Sequence, residues 1–139
     1  MKNAFDVAEN VISLINVPAV TDHISGKTWA FDRPGNRDLV DIVVGVLMIS
    51  NDYLQRGVAN IRIHAPDVAI SAVKQTDWRT DLKTLDRVAK LIIPLVDNQY
   101  KHSFFTHIDR HGPSRTLDGQ GMYVIRLDYY SFQENYKNI

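Results

Sequence analysis

The chain reads as an α+β domain: a largely antiparallel, mixed sheet with two helices packed on one face, in the order α-β-β-β-α-β-β. Three observations predict this. Residues 42–49, IVVGVLMI, form an unbroken apolar run rich in β-branched side chains, the pattern of a strand covered on both faces. Residues 58–65 instead alternate strictly, with Ala59, Ile61 and Ile63 on one side and Asn60, Arg62 and His64 on the other, so one face packs and the other is free. Apolar residues at helical spacing recur in two separate stretches, 3–15 and 82–96.

Each element follows in chain order. Ala4, Val7, Ala8, Val11, Leu14 and Ile15, with Asp6, Glu9 and Asn10 between them, predict an amphipathic first helix. Pro18 is expected to close it, and 17–26 is read as a connector with a further short extended or helical piece. Thr28-Trp29-Ala30-Phe31 has strand composition, ended by the turn chemistry of Arg33-Pro34-Gly35-Asn36. The two central strands are joined by a polar turn around Asn51, Asp52 and Tyr53, and Pro66, which lacks a backbone donor, ends the pairing.

Residues 68–76 read as a polar connector. In the second helix Leu82, Leu85, Val88, Ala89, Ile92 and Val96 form the apolar stripe, Asp77 or Thr80 is the expected N-cap, and Asp81 suits the positive end of the dipole. Pro94 either kinks the last turn or ends the regular helix near Ile93. The C-terminal part reads as a hairpin with arms 103–109 and 122–132 and a long tip, 110–121. On the return arm Tyr123, Ile125, Leu127 and Tyr129 share one side, and Val124, Arg126, Asp128 and Tyr130 the other. Residues 133–139 form a polar tail expected to fray.

At 139 residues the chain has the length of one domain, 1–139, able to bury its own core. Its formal net charge is zero, which disfavours a nucleic-acid or anionic-membrane surface as the primary partner. With no cysteine, disulfides, thiolate catalysis and cysteine-ligated metals are excluded. The first residues lack the apolar core of a signal peptide, and no apolar stretch approaches the roughly 20 residues of a membrane-spanning helix. The expectation is a soluble protein made and kept in the cytoplasm.

No constellation carries catalysis, so no catalytic, cofactor or metal residue is assigned. His102, His107 and His111 lie five and four residues apart, and on a strand the first two fall on opposite faces, which does not suit a metal site. Asp109, Asp118 and Asp128 are not spaced as an acid–base pair. Ser25-Gly26-Lys27-Thr28 resembles the end of a phosphate loop but lacks its first glycine. Tyr123, Tyr129, Tyr130 and Phe132 with Arg126 suggest a base-stacking platform, yet alternation sends some of them inward and Asp128 interrupts the basic character. Trp29 and Trp78, near segment boundaries, are expected to anchor loops onto the core.

The segments Asp32-Arg33-Pro34, Asp41-Ile42-Val43-Val44 and QRGVANIRIHAPD from Gln55 to Asp67, followed by the second helix and YVIRLDYY from Tyr123 to Tyr130, resemble a family of small proteins of phages and prophages of Bacteroides-type bacteria. Members look like the tail terminator, or tail-completion and head–tail joining, proteins of long-tailed phages. The resemblance runs from about Thr28 onward and rests on strand sequence and element order. It implies a structural α+β subunit that assembles as a ring, commonly a hexamer, caps the completed tail tube and offers a surface to the neck connector. The implied partners are further copies of itself, the tail-tube protein and the neck protein; the implied location is the virion tail or neck, and the host cytoplasm during assembly. Exposure and shape select the expected interface: the turn with Asp52, Tyr53, Gln55 and Arg56, the strand face of Asn60, Arg62 and His64, and the hairpin tip around Arg115 and Asp118. The alternatives are another neck or head-completion protein, or a small cytoplasmic enzyme or ligand-binding domain with a pocket lined by Arg62, His64 and tyrosines.

Overall fold

The computed structural model describes residues 1–35, 38–72, 75–117 and 119–132. It is a mixed α+β structure with three helices and a six-stranded sheet. The elements are α1 (Ala4–Ile15), α2 (Pro18–Thr21), β1 (Thr28–Ala30), β2 (Asp41–Ile49), β3 (Leu54–His64), β4 (Val68–Ala72), β5 (Gln75–Arg79), α3 (Leu82–Val96), β6 (Gln99–Tyr100), β7 (Phe104–Arg115) and β8 (Gly121–Phe132). The main sheet has the order β1-β2-β3-β8-β7-β6, and β4 and β5 form a separate two-stranded hairpin. Among the described residues only β1 with β2 is parallel; the other pairs are antiparallel.

Local chemistry starts each helix. Asn3 caps α1 with a reciprocal capping box, its side chain accepting from the Asp6 backbone while Asp6 accepts from Asn3 N at 2.9 Å. Both bonds satisfy amides that a helix start leaves unpaired. Pro18, expected to close this helix, instead sits in the first turn of α2; its missing N–H costs nothing there. Asp81, and not Asp77 or Thr80, caps α3 by accepting from Thr84 N at 3.2 Å. The helix runs through Pro94 to Val96. Leu82, assigned to the apolar stripe, is exposed, whereas Leu85, Val88, Ala89, Ile92 and Val96 are buried.

The core lies between the sheet and the helices. Val7, Val11 and Ile15 of α1 and Leu85, Val88 and Ile92 of α3 pack in one cluster with Ile42, Val44, Ile61, Ile63, Ile125, Leu127 and Tyr129. The register sets Ile42 opposite Ile63, Val44 opposite Ile61, and Ile61 opposite Ile125, so the inward rows of β2, β3 and β8 align as the alternation requires. The doubly covered strand holds only in part. Residues Asp41 to Val44 are buried, but past a bulge between Val46 and Met48 the strand opens, and Leu47 and Met48 are exposed.

Two further expectations change. The connector 68–76 contains β4 and the start of β5. The long tip is short: β7 continues to Arg115 and β8 begins at Gly121, so 110–115 are strand. Pro113 is tolerated because β6 covers only Phe105 and Thr106, which leaves that stretch of β7 on the sheet edge. Gly121 lies against Thr80, where a Cβ would collide with the threonine side chain. The polar tail 133–139 lies outside the described residues, as do Asn36 and Asp118.

Candidate functional site

With α1 and α3 on one face of the sheet, the opposite face carries the candidate site. Its strands share two ends. The Asp41 end holds the starts of β2 and β8, the end of β3 and the residues Thr116, Gly119 and Gln120 that bond to one another after β7; the Leu54 end holds the 50–53 turn, the start of β7 and β6. Along β3 the ends lie roughly 33 Å apart, from ten steps of about 3.3 Å.

The Asp41 end is closed over. Asp41 is fully buried and accepts from Lys27 N at 2.9 Å, Trp29 Nε1 at 3.1 Å and Arg33 Nη1 at 3.2 Å. A buried carboxylate is tolerable when charge-paired and hydrogen-bonded in this way. Arg33 also donates to Gln120 Oε1 at 2.6 Å, which ties the segment after β1 across to the start of β8. Phe31 holds φ at 65°, an uncommon conformation for a bulky residue. Its carbonyl accepts from Arg62 Nη2 at 2.8 Å, and its ring meets Phe5 edge-on.

Those contacts revise the expected interface. Arg62 is half-buried and holds the Phe31 backbone, and His64 is buried at 5 % exposure. Asn60 is half-buried beside Arg126, whose Nε lies 3.5 Å from its Oδ1. Gln55 is buried on the helix side of β3, where its amide accepts from Lys2 N and donates to Lys2 O, both at 2.9 Å, and donates to Ser50 O at 3.0 Å. Arg115 is exposed at the Asp41 end and donates to Gly119 O. Asp52, Tyr53 and Arg56 are exposed together at the Leu54 end. The structure therefore divides the expected interface between two ends of the sheet. The expected loop anchors divide too: Trp29 binds Asp41, but Trp78 is 66 % exposed.

At the Leu54 end the face is open and aromatic. Arg56, Tyr130, Phe105 and Tyr100 stand opposite one another in register across β3, β8, β7 and β6. Arg56 lies over the Tyr130 ring at 5.8 Å, Phe105 stacks on Tyr130 at 5.8 Å, and Tyr100 stacks on Phe105 at 4.3 Å. His107, absent from the expected interface, extends this platform; its ring stacks on Tyr130, and its Nε2 lies 3.1 Å from Asp128 Oδ2. A groove of about 380 Å3 runs along the platform, walled by Leu54, Tyr100, Phe104, Phe105 and Tyr130 with Lys101 at its rim. A second hollow of about 380 Å3, beside Met48, Arg56 and Val58, continues the same surface. Sequence alternation had placed Tyr130 on this face, but β6 is too short to show a period, so Tyr100 was missed.

Beneath the platform, on the helix side, a polar cluster fixes the N-terminal residues. Lys2 Nζ donates to Asn10 Oδ1 at 2.9 Å, Ser103 Oγ at 2.9 Å and Tyr129 OH at 3.0 Å, and Tyr129 donates to Asn10 Oδ1 at 2.6 Å. Burial pushes the Tyr129 phenol well above its ordinary pKa, with the Asp6 charge adding to the rise and a Ser131 hydrogen bond opposing it. Among the described residues no group of three His, Asp or Glu side chains is placed to hold a metal ion, and no helix is long and apolar enough to cross a membrane. No protein-family model matches the chain, and no match was found among curated proteins.

Proposed function

We propose that the protein is a structural subunit of a phage tail, a tail terminator or head–tail joining protein that closes into a ring, caps the tail tube and presents a surface to the neck. The observation that carries this reading is the open platform at the Leu54 end, where Arg56, Tyr130, Phe105 and Tyr100 form one continuous row, exposed at Arg56 and Tyr100 and half-buried between them. Aromatic residues and arginine are the side chains enriched in protein interfaces. The sequence resemblance supplies the setting, a ring at the end of a tail in the virion, assembled in the host cytoplasm from copies of this chain with tube and neck proteins as neighbours. Such a ring acts by geometry: its rim matches the last tube ring and blocks further addition, with no chemical step.

Arg56→Glu tests the reading, because Arg56 is exposed and its role in the platform is surface contact. The variant should keep the wild-type circular dichroism spectrum and lose assembly, since an unpaired or repelled charge recurs at every copy of a repeated contact. Size exclusion with light scattering reads the assembly, and electron microscopy of tails formed with and without the protein reads the cap. A strictly monomeric wild type that neither binds tube ends nor alters tail length overturns the proposal.

A further inference from the structure

The hairpin of β4 and β5 is paired to itself and stands apart from the six-stranded sheet. It leaves the body at the Asp41 end, between the end of β3 at His64 and Thr80, which lies against Gly121. Near its base Trp78 pairs with Ala69 and is 66 % exposed. An indole left in water forgoes one of the largest apolar burials a side chain can make. At the other end of the sheet lies the groove of Tyr100, Phe105, Tyr130 and Leu54, where Tyr100 is 77 % exposed. Its volume of about 380 Å3 accommodates an aromatic ring, and its walls include stacked rings that offer an indole aromatic contacts.

Trp78 cannot reach this groove within its own chain. It sits one pair from the arm's base, and the sheet that separates base from groove is roughly 33 Å long. We infer that the β4–β5 arm of one copy seats Trp78 in the aromatic groove of a second copy. The inference rests on the ring reading and names its contact. Because arm and groove occupy opposite ends of one molecule, each copy can offer its arm to one neighbour and its groove to another. Repetition of that heterologous contact builds a closed ring or an open filament.

Trp78→Ala removes the arm's side chain, and Tyr100→Glu places a charge in the groove; both positions are exposed, so each variant should keep the wild-type circular dichroism spectrum. Measured by sedimentation velocity over a concentration series, each variant alone should associate at least about 30-fold more weakly than wild type, the loss expected for a buried tryptophan anchor. An equimolar mixture is the sharper measurement. The Tyr100→Glu copy has an intact arm and the Trp78→Ala copy an intact groove, so the mixture should recover a one-to-one heterodimer and no larger species. Assembly of both variants at wild-type strength, or recovery of full rings by the mixture, overturns the arm-and-groove contact while leaving a ring built on other surfaces in place. A wild type that is monomeric at every concentration and on tube ends overturns both.

Discussion

Ile61 and Asn60 are neighbours on β3 with opposite fates, the first fully buried and the second half-buried on the outer face. Ile61→Ala should therefore destabilise the fold by about 2–5 kcal/mol, whereas Asn60→Ala should cost less than about 1 kcal/mol; urea titration of the pair checks the strand register. The parity of that strand was legible, and it reached further than the alternation first suggested. Continuing it back from Ala59 puts Gly57 and Gln55 on the helix side, as the structure does, although a glutamine beside a turn reads by composition as exposed. What could not be read was its partner: Lys2 lies 53 positions away, and only the assembled fold joins them. Tyr129 gives a second residue-scale prediction. Its phenol ionises near pH 10 in the unfolded chain and at a higher pH in the fold, so the native state holds the proton longer. The stabilisation is complete below about pH 10 and falls as pH rises above it. Tyr129→Phe should flatten this alkaline decline in Tm between about pH 10 and 12.

Helix α1 begins where its cap says it should. Asn3→Ala removes the side-chain half of the capping box and should cost about 0.5–2 kcal/mol, visible as a lower midpoint in guanidinium with an unchanged slope. Elements with a sustained period, α1, α3, β3 and β8, could be read because a long run of residues repeats one pattern. Several others misled for identifiable reasons. Proline ends a helix or opens one depending on which side of it the turn forms, and Pro18 opens α2. Gly112, Pro113 and Ser114 have turn composition, yet an edge strand needs no donor on its free side, so β7 continues through them. β6, at two residues, is too short for any period and is fixed by the strand it joins, whereas β1 at Thr28–Ala30 follows its strand composition. The candidate site suffers most from this, since Tyr100 and Lys101 belong to β6 and the turn after it. The outward row of β8 was read correctly, and the groove beside it was not.

At the scale of the molecule, the strand order has a consequence for when the fold can exist. β8, the last described strand of the chain, lies between β3 and β7 and is the only strand joining β2 and β3 to β6 and β7. During synthesis the ribosome releases it after every other described element. Until then the β2–β3 hairpin carries an open inner edge, β7 has no long partner, and Lys2 lacks the Tyr129 hydroxyl that helps hold it. An unpaired central edge is a template for wrong pairing, and with elongation at about 5–20 residues per second that edge stays open for seconds on every nascent chain. Chains stalled before Gly121 should be digested by protease as readily as unfolded polypeptide. Protection should arrive in one step once β8 has cleared the exit tunnel, and refolding of the full chain should fall in the slow, millisecond-to-second class of folds closed by distant strands.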